Sequence, residues 1–190
     1  MRPVSGNYEV LAISGSLRAR SSNTEVLRAA ALLAPSNVRV TVYPGLAALP
    51  QFNPDLDGEG AVPPPPVGEL RAQVASADGM LICSPEYAHG VPGSLKNALD
   101  WLVSGPEIVH KPIGLINASP RSTHALASLA ETLRTMSTVV VPDATVSLPL
   151  SGRDLDASAI AASPELAEVI RTALNALMRA ADVYRQWRAA

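Results

Sequence analysis

Met80-Leu81-Ile82-Cys83-Ser84-Pro85-Glu86-Tyr87-Ala88-His89-Gly90-Val91-Pro92-Gly93-Ser94-Leu95-Lys96-Asn97-Ala98-Leu99-Asp100-Trp101-Leu102 joins two patterns of different period. Its first four residues are an apolar run of strand length, short enough to be buried on both faces. Further on, Val91, Leu95, Ala98, Leu99 and Leu102 recur at helical spacing and give one apolar face. Pro92 suits the first turn of that helix, where a missing N–H costs nothing. The polar loop between them therefore leaves the carboxyl end of a strand, where open α/β sheets bind ligands. Read alone, the same loop is equally compatible with a plain strand-to-helix turn.

Outward from this stretch the two periods keep alternating. Tyr8 to Ser14 reads as a strand apolar enough to be buried on both sides, after a short tail from Met1 to Asn7. Ser22 with Glu25 predicts a capping box for a helix running to about Ala34, with Val26, Leu27, Ala30, Ala31 and Ala34 as its buried stripe. Val38 to Tyr43 alternates like a second strand. Pro44 to Pro66, with four consecutive prolines from Pro63, reads as an irregular surface excursion before a helix from about Val67 to Ser76. Beyond the opening stretch, Pro112 to Asn117 is a fourth strand. Ala125, Leu126, Leu129, Leu133 and Met136 mark a helix, and Thr138 to Val141 is a fifth strand closed by Pro142. Pro142 to Ala162 reads as loop, with room for a short strand at Thr145 to Leu148. Ser163 as cap and Pro164 in first position start a last helix, lined by Leu166, Val169, Ile170, Ala173, Leu174, Leu177 and Ala181. The βαβαβαβαβα order predicts one α/β domain over residues 1–190, with helices on both faces of a parallel sheet. Five strands fit the flavodoxin-like order 2-1-3-4-5.

Composition narrows the function classes. The net charge is −2, which leaves no basic footprint for nucleic acid or anionic membrane. One cysteine excludes an internal disulfide and any Cys-rich metal site. His89, His110 and His124 lack metal-ligand spacing, so no metal is expected. Neither a secretory h-region nor an apolar run of about 18 residues is present, and a cytoplasmic location is the expectation.

Three loops end at one sheet edge. The first, Gly15 to Asn23, suits a single phosphate: Ser16, Ser21, Ser22 and Asn23 supply donors, Arg18 and Arg20 supply charge, and a helix start adds free N–H groups. An ordinary Ser-rich cap with solvated arginines is the competing reading. Gly-x-Gly-x-x-Gly is absent, the second strand ends without a ribose-binding acid, and no Walker-type lysine follows. The second loop offers backbone N–H groups and Tyr87 to a flat heterocycle, with Glu86 in an orienting role. Cys83 reads as a buried small hydrophobe rather than a nucleophile. No Gly-x-Ser-x-Gly elbow exists.

Gly15-Ser16-Leu17-Arg18 with Ser21 and Asn23, then Ser84-Pro85-Glu86-Tyr87, then Val91-Pro92-Gly93 with Leu95 to Trp101, resemble the NADPH-dependent FMN reductase family, which includes chromate, quinone and azo-compound reductases. The resemblance covers about Tyr8 to Trp187. It implies a flavodoxin-like fold with one FMN, its phosphate on Ser16, Arg18, Ser21 and Asn23 and its ring against Pro85, Glu86, Tyr87 and Ala88. Ser119 and Arg121, in the third loop, would complete the site. Many members carry Asn where this chain has Ala88, and glycines where it has Ser119-Pro120-Arg121-Ser122-Thr123-His124. The implied activity is two-electron hydride transfer from NADPH or NADH through FMN to a small acceptor, with no acid–base side chain required. A flavin-binding electron carrier or sensor, and an interaction protein that kept the fold without the ligand, are the alternatives. The family habit further implies a homodimer or homotetramer. Trp101 and the surplus apolar positions of the Pro92 helix are the expected contact.

Overall fold

Strand β1 (Tyr8–Ser14) runs through the centre of the protein because its alternate residues serve two different cores. Tyr8, Val10 and Ala12 pack into one, and Leu11 and Ile13 into the other. The computed structural model describes residues 7–58, 60–150 and 153–189, so most of the expected N-terminal tail lies outside the described residues. After β1 come α1 (Ser22–Leu33), β2 (Val38–Val42), α2 (Pro65–Ser76), β3 (Gly79–Cys83), α3 (Gly93–Asp100), β4 (Pro112–Asn117) and α4 (Thr123–Thr135). Two short strands, β5 (Val139–Val140) and β6 (Val146–Ser147), and two helices, α5 (Ala157–Ala162) and α6 (Pro164–Arg188), complete the described chain.

All strand pairs are parallel, in the order β2-β1-β3-β4-β5, with β6 also on β4. The expected order 2-1-3-4-5 is thus what forms. Ser14 stands beside Cys83, and Cys83 beside Ile116, so the loops after β1, β3 and β4 leave the sheet together. Helices α1 and α6 cover one face, and α2, α3 and α4 the other. Each fully buried Leu or Ile contributes roughly 1.5–3 kcal/mol relative to exposure, so the two cores hold the loop bases firmly.

Several expectations are corrected. Ser21, not Ser22, occupies the α1 cap, and no side-chain capping bond forms. Glu25 turns away from the expected box and accepts from the Ala157 N–H at the start of α5 (3.0 Å) and from Arg28. Pro92 is the cap of α3 rather than its first helical residue. The fifth strand is shortened to Val139–Val140, paired with the start of β4, and the short strand allowed at Thr145 to Leu148 forms as Val146–Ser147, paired with the end of β4 beyond a 3-10 turn at Pro142–Ala144. Pro142 has no N–H for the ladder. The turn also rests on Gly114, where a Cβ would come within 3.0 Å of the Ala144 carbonyl oxygen. Helix α5 forms inside what reads as loop, capped by the Asp156 carboxylate on the Ala159 N–H (2.8 Å).

Trp101 also departs from expectation. Its indole is completely buried and donates to the Pro50 carbonyl (2.8 Å), with Phe52 edge-on at 5.0 Å. Asn97 takes the same carbonyl and accepts from the Phe52 N–H. The long excursion after β2 is therefore pinned to α3, and Trp101 has no surface to offer a partner.

Candidate functional site

The site starts from Gly15, where β1 and β3 approach too closely for a side chain. A Cβ there would sit 2.7 Å from Ser84 Oγ, and the Gly15 N–H donates to the Cys83 carbonyl (2.8 Å). The next residues turn on short hydrogen bonds. The Arg18 N–H reaches Ser16 Oγ (3.3 Å), and Thr24 donates to Ser14 Oγ (2.9 Å). The turn delivers the chain to the α1 N-terminus, whose first N–H groups have no carbonyl partners and whose dipole end is positive.

Ser21 is the most telling residue of this turn. It is buried to 5% exposure, yet its Oγ makes no hydrogen bond. A buried unpaired hydroxyl costs about 1–3 kcal/mol, so a ligand acceptor is the natural partner for it. Arg18 has no ion-pair partner among the described residues, whereas Arg20 is engaged by Asp154 at 3.0 Å. Ser16, Arg18, Ser21 and Asn23 share a cleft of about 820 Å³ with Pro85 and Tyr87.

The loop after β3 closes on itself. Tyr87 and Gly90 exchange N–H···O bonds of 3.1 and 2.9 Å across Ala88 and His89, which both lie in the left-handed region at φ 49° and 61°. This is a two-residue hairpin turn of the type favouring Asn or Gly, so Ala88 sits there under strain. Tyr87 is half exposed beside the cleft. Glu86 orients the loop. Its Oε2 accepts from the Ala125 N–H in the first turn of α4 (2.8 Å) and its Oε1 faces His89 Nδ1 (3.1 Å). The Ala125 N–H, ahead of His89, holds the carboxyl below its ordinary range. His89 and His124 stack edge to face at 4.4 Å beside it.

The loop after β4 is held from inside by Asn117. Its Oδ1 accepts from the Ser119 N–H (3.0 Å) and its Nδ2 donates to the Ser122 carbonyl (3.2 Å). Ser119 and Arg121 then line a second hollow of about 400 Å³ with Pro85 and Glu86. The two hollows share Ser22, Asn23, Pro85 and Arg153 as walls. Every expected site residue except Ala88, which belongs to the turn, reaches one of the two. Asn117 and Arg153 were missed by sequence reasoning. Asn117 gives a signal, an amide ending an apolar strand. Arg153 gives none: its N–H bonds the Leu150 carbonyl (2.9 Å) in the loop ahead of α5, which Glu25 ties to α1.

No group of His, Cys, Asp and Glu that could hold a metal ion occurs among the described residues. None of the described helices is long and apolar enough to cross a membrane.

A sequence profile described as NADPH-dependent FMN reductase matches residues 8–152, three loops included. The chain belongs to the NADPH-dependent FMN reductase family. Within the family it is 38% identical over 112 residues to a quinone reductase of Escherichia coli, covering 58% of this chain and 59% of that protein. It is 36% identical over 118 residues to an NAD(P)H-dependent FMN reductase of Pseudomonas aeruginosa, covering 61% and 62%. The match thus spans less than two thirds of either relative. Among solved structures, the flavoenzyme NAD(P)H:(acceptor) oxidoreductase FerB of Paracoccus denitrificans superposes with a TM-score of 0.77 at 25% identity, over 93% of this chain and 98% of that one.

Proposed function

We propose that the chain is an FMN-dependent oxidoreductase that takes two electrons from NADPH or NADH and delivers them to a small acceptor, a quinone before others. The observation that carries this reading is the unpaired Ser21 hydroxyl, buried at a helix N-terminus beside the free Arg18. That donor set fits one phosphate, and the cleft offers no second phosphate cradle of the dinucleotide kind. FMN, when bound, supplies the two-electron chemistry. The chain's own residues bind and orient. Ser16, Arg18, Ser21 and Asn23 would hold the phosphate, while Pro85, Glu86, Tyr87 and Ala88 would form the wall beside the ring, held in shape by the Tyr87–Gly90 turn. Ser119 and Arg121 close the far side. Arg121 and Arg153, which have no ion-pair partner among the described residues, add positive charge at the second hollow, which suits an anionic nicotinamide donor. No side chain is needed to move a proton in this scheme.

We read residues 1–190 as one FMN-binding domain acting as a homodimer or homotetramer in the cytoplasm. With Trp101 buried, the assembly contact is carried by the exposed residues around the site, Leu17 and Tyr87 among them. The cofactor assignment is tested by heat release and chromatography of the bound flavin after reconstitution with an FMN and FAD mixture. FMN alone is expected. Recovery of FAD, or of no flavin, refutes the assignment.

A further inference from the structure

Cys83 is the chain's one cysteine, fully buried at the end of β3, and the scheme above gives it no task. Burial pushes its thiol well above the ordinary range, against a backbone hydrogen bond from Ala118 that pulls the other way. The sulfur therefore keeps its proton under working conditions, so it is no nucleophile. It remains a donor, and Sγ lies 3.2 Å from Asn23 Oδ1. An amide oxygen can only accept, so the thiol is the donor of this contact. The thiol proton thus points at Asn23. Asn23 lines both hollows, so the contact holds its amide at their shared wall.

We propose that Cys83 is a positioning residue for Asn23: its buried thiol donates to Asn23 Oδ1, ties the end of β3 to the first turn of α1 and holds the Asn23 amide in place for the FMN phosphate. The proposal rests on reading the cleft as an FMN site. An aliphatic residue at position 83 would fill the core equally well but leave Asn23 free to rotate, and that is what separates positioning from packing.

A single cysteine gives a single S–H stretching band in the infrared, free of other protein bands. In the apoprotein it should lie below the free-thiol frequency and move back toward it in Asn23→Ala. FMN titration of apoprotein supplies the second readout. Cys83→Ala should weaken binding about two- to tenfold, the range of one neutral hydrogen bond. Cys83→Ser, which can still donate, should stay within about twofold of the parent. In an Asn23→Ala background, Cys83→Ala should cost nothing further. An S–H band indifferent to Asn23→Ala, or the same loss from Cys83→Ala in both backgrounds, overturns the proposal. Wild-type protein that takes up no FMN would overturn the functional reading instead, and the infrared band would still decide the Cys83–Asn23 contact.

Discussion

Ser21→Ala separates a ligand-waiting hydroxyl from an ordinary helix cap, because the two accounts give opposite signs. A serine cap that bonds the helix N-terminus loses about 1 kcal/mol of stability on truncation to alanine. Here the cap residue is extended (φ −129°, ψ 120°), its carbonyl rather than its Oγ takes the Glu25 N–H at 2.9 Å, and the Oγ is buried without a partner. Removing an unpaired buried hydroxyl relieves a desolvation penalty of about 1–3 kcal/mol, and little packing is lost with one oxygen. The apoprotein should therefore become more stable by about 1 kcal/mol. FMN affinity should fall, because a charge-assisted bond to phosphate contributes about 1.5–3 kcal/mol, or about ten- to a hundredfold. Urea unfolding of the apoproteins measures the first effect, and fluorescence titration with FMN the second. An apoprotein destabilised by about 1 kcal/mol, or an unchanged FMN affinity, would refute the reasoning.

Other expectations follow from the same geometry. Arg18→Ala should weaken FMN binding about ten- to a hundredfold, while Arg20→Ala, whose guanidinium is turned to Asp154, should change it little; equal losses in titration would remove the Arg18 assignment. Ala88→Gly should raise stability by about 0.5–1 kcal/mol by relieving the left-handed backbone at φ 49°; no gain in urea unfolding would contradict the turn geometry. Lys111 is wholly buried, donates to the Ala77 carbonyl, and has its pKa lowered to about 8, first by burial and then by Arg188. Its folded pKa lies below the unfolded value, so the unfolded chain binds the extra proton between about pH 8 and 10.5 and stability rises with pH across that window. From about pH 7 to 9.5 the parent should gain about 1–2 kcal/mol relative to Lys111→Met. A difference in unfolding free energy that is flat with pH would contradict this.

The fold was legible where periodicity is enforced by burial on two sides. Tyr8 to Ser14 and Met80 to Cys83 each feed both cores, so their apolar runs admit one reading. The edge was less legible: the strand read at Thr138 to Val141 and the short one allowed at Thr145 to Leu148 shrink to two-residue fragments because Pro142 and the Gly114–Ala144 contact act across the sheet. The first loop was legible as donor-rich, but which serine caps α1 depended on Glu25 reaching α5, a partner 132 positions away. Trp101 looked like surplus apolar surface only because its partner, the Pro50 carbonyl, sits in an irregular stretch with no pattern of its own. Arg153 and the Cys83–Asn23 contact share that cause, since each is created by tertiary placement rather than by spacing along the chain.

The account turns on FMN held in this cleft passing electrons from a nicotinamide to a small acceptor. Its most direct test is steady-state kinetics of the FMN-loaded protein with NADPH and a benzoquinone, both varied. A single site used in turn by donor and acceptor gives parallel double-reciprocal lines and ready quinone turnover. A protein that loads FMN, yet is not bleached by NADPH without oxygen and does not turn over quinone, would contradict the account.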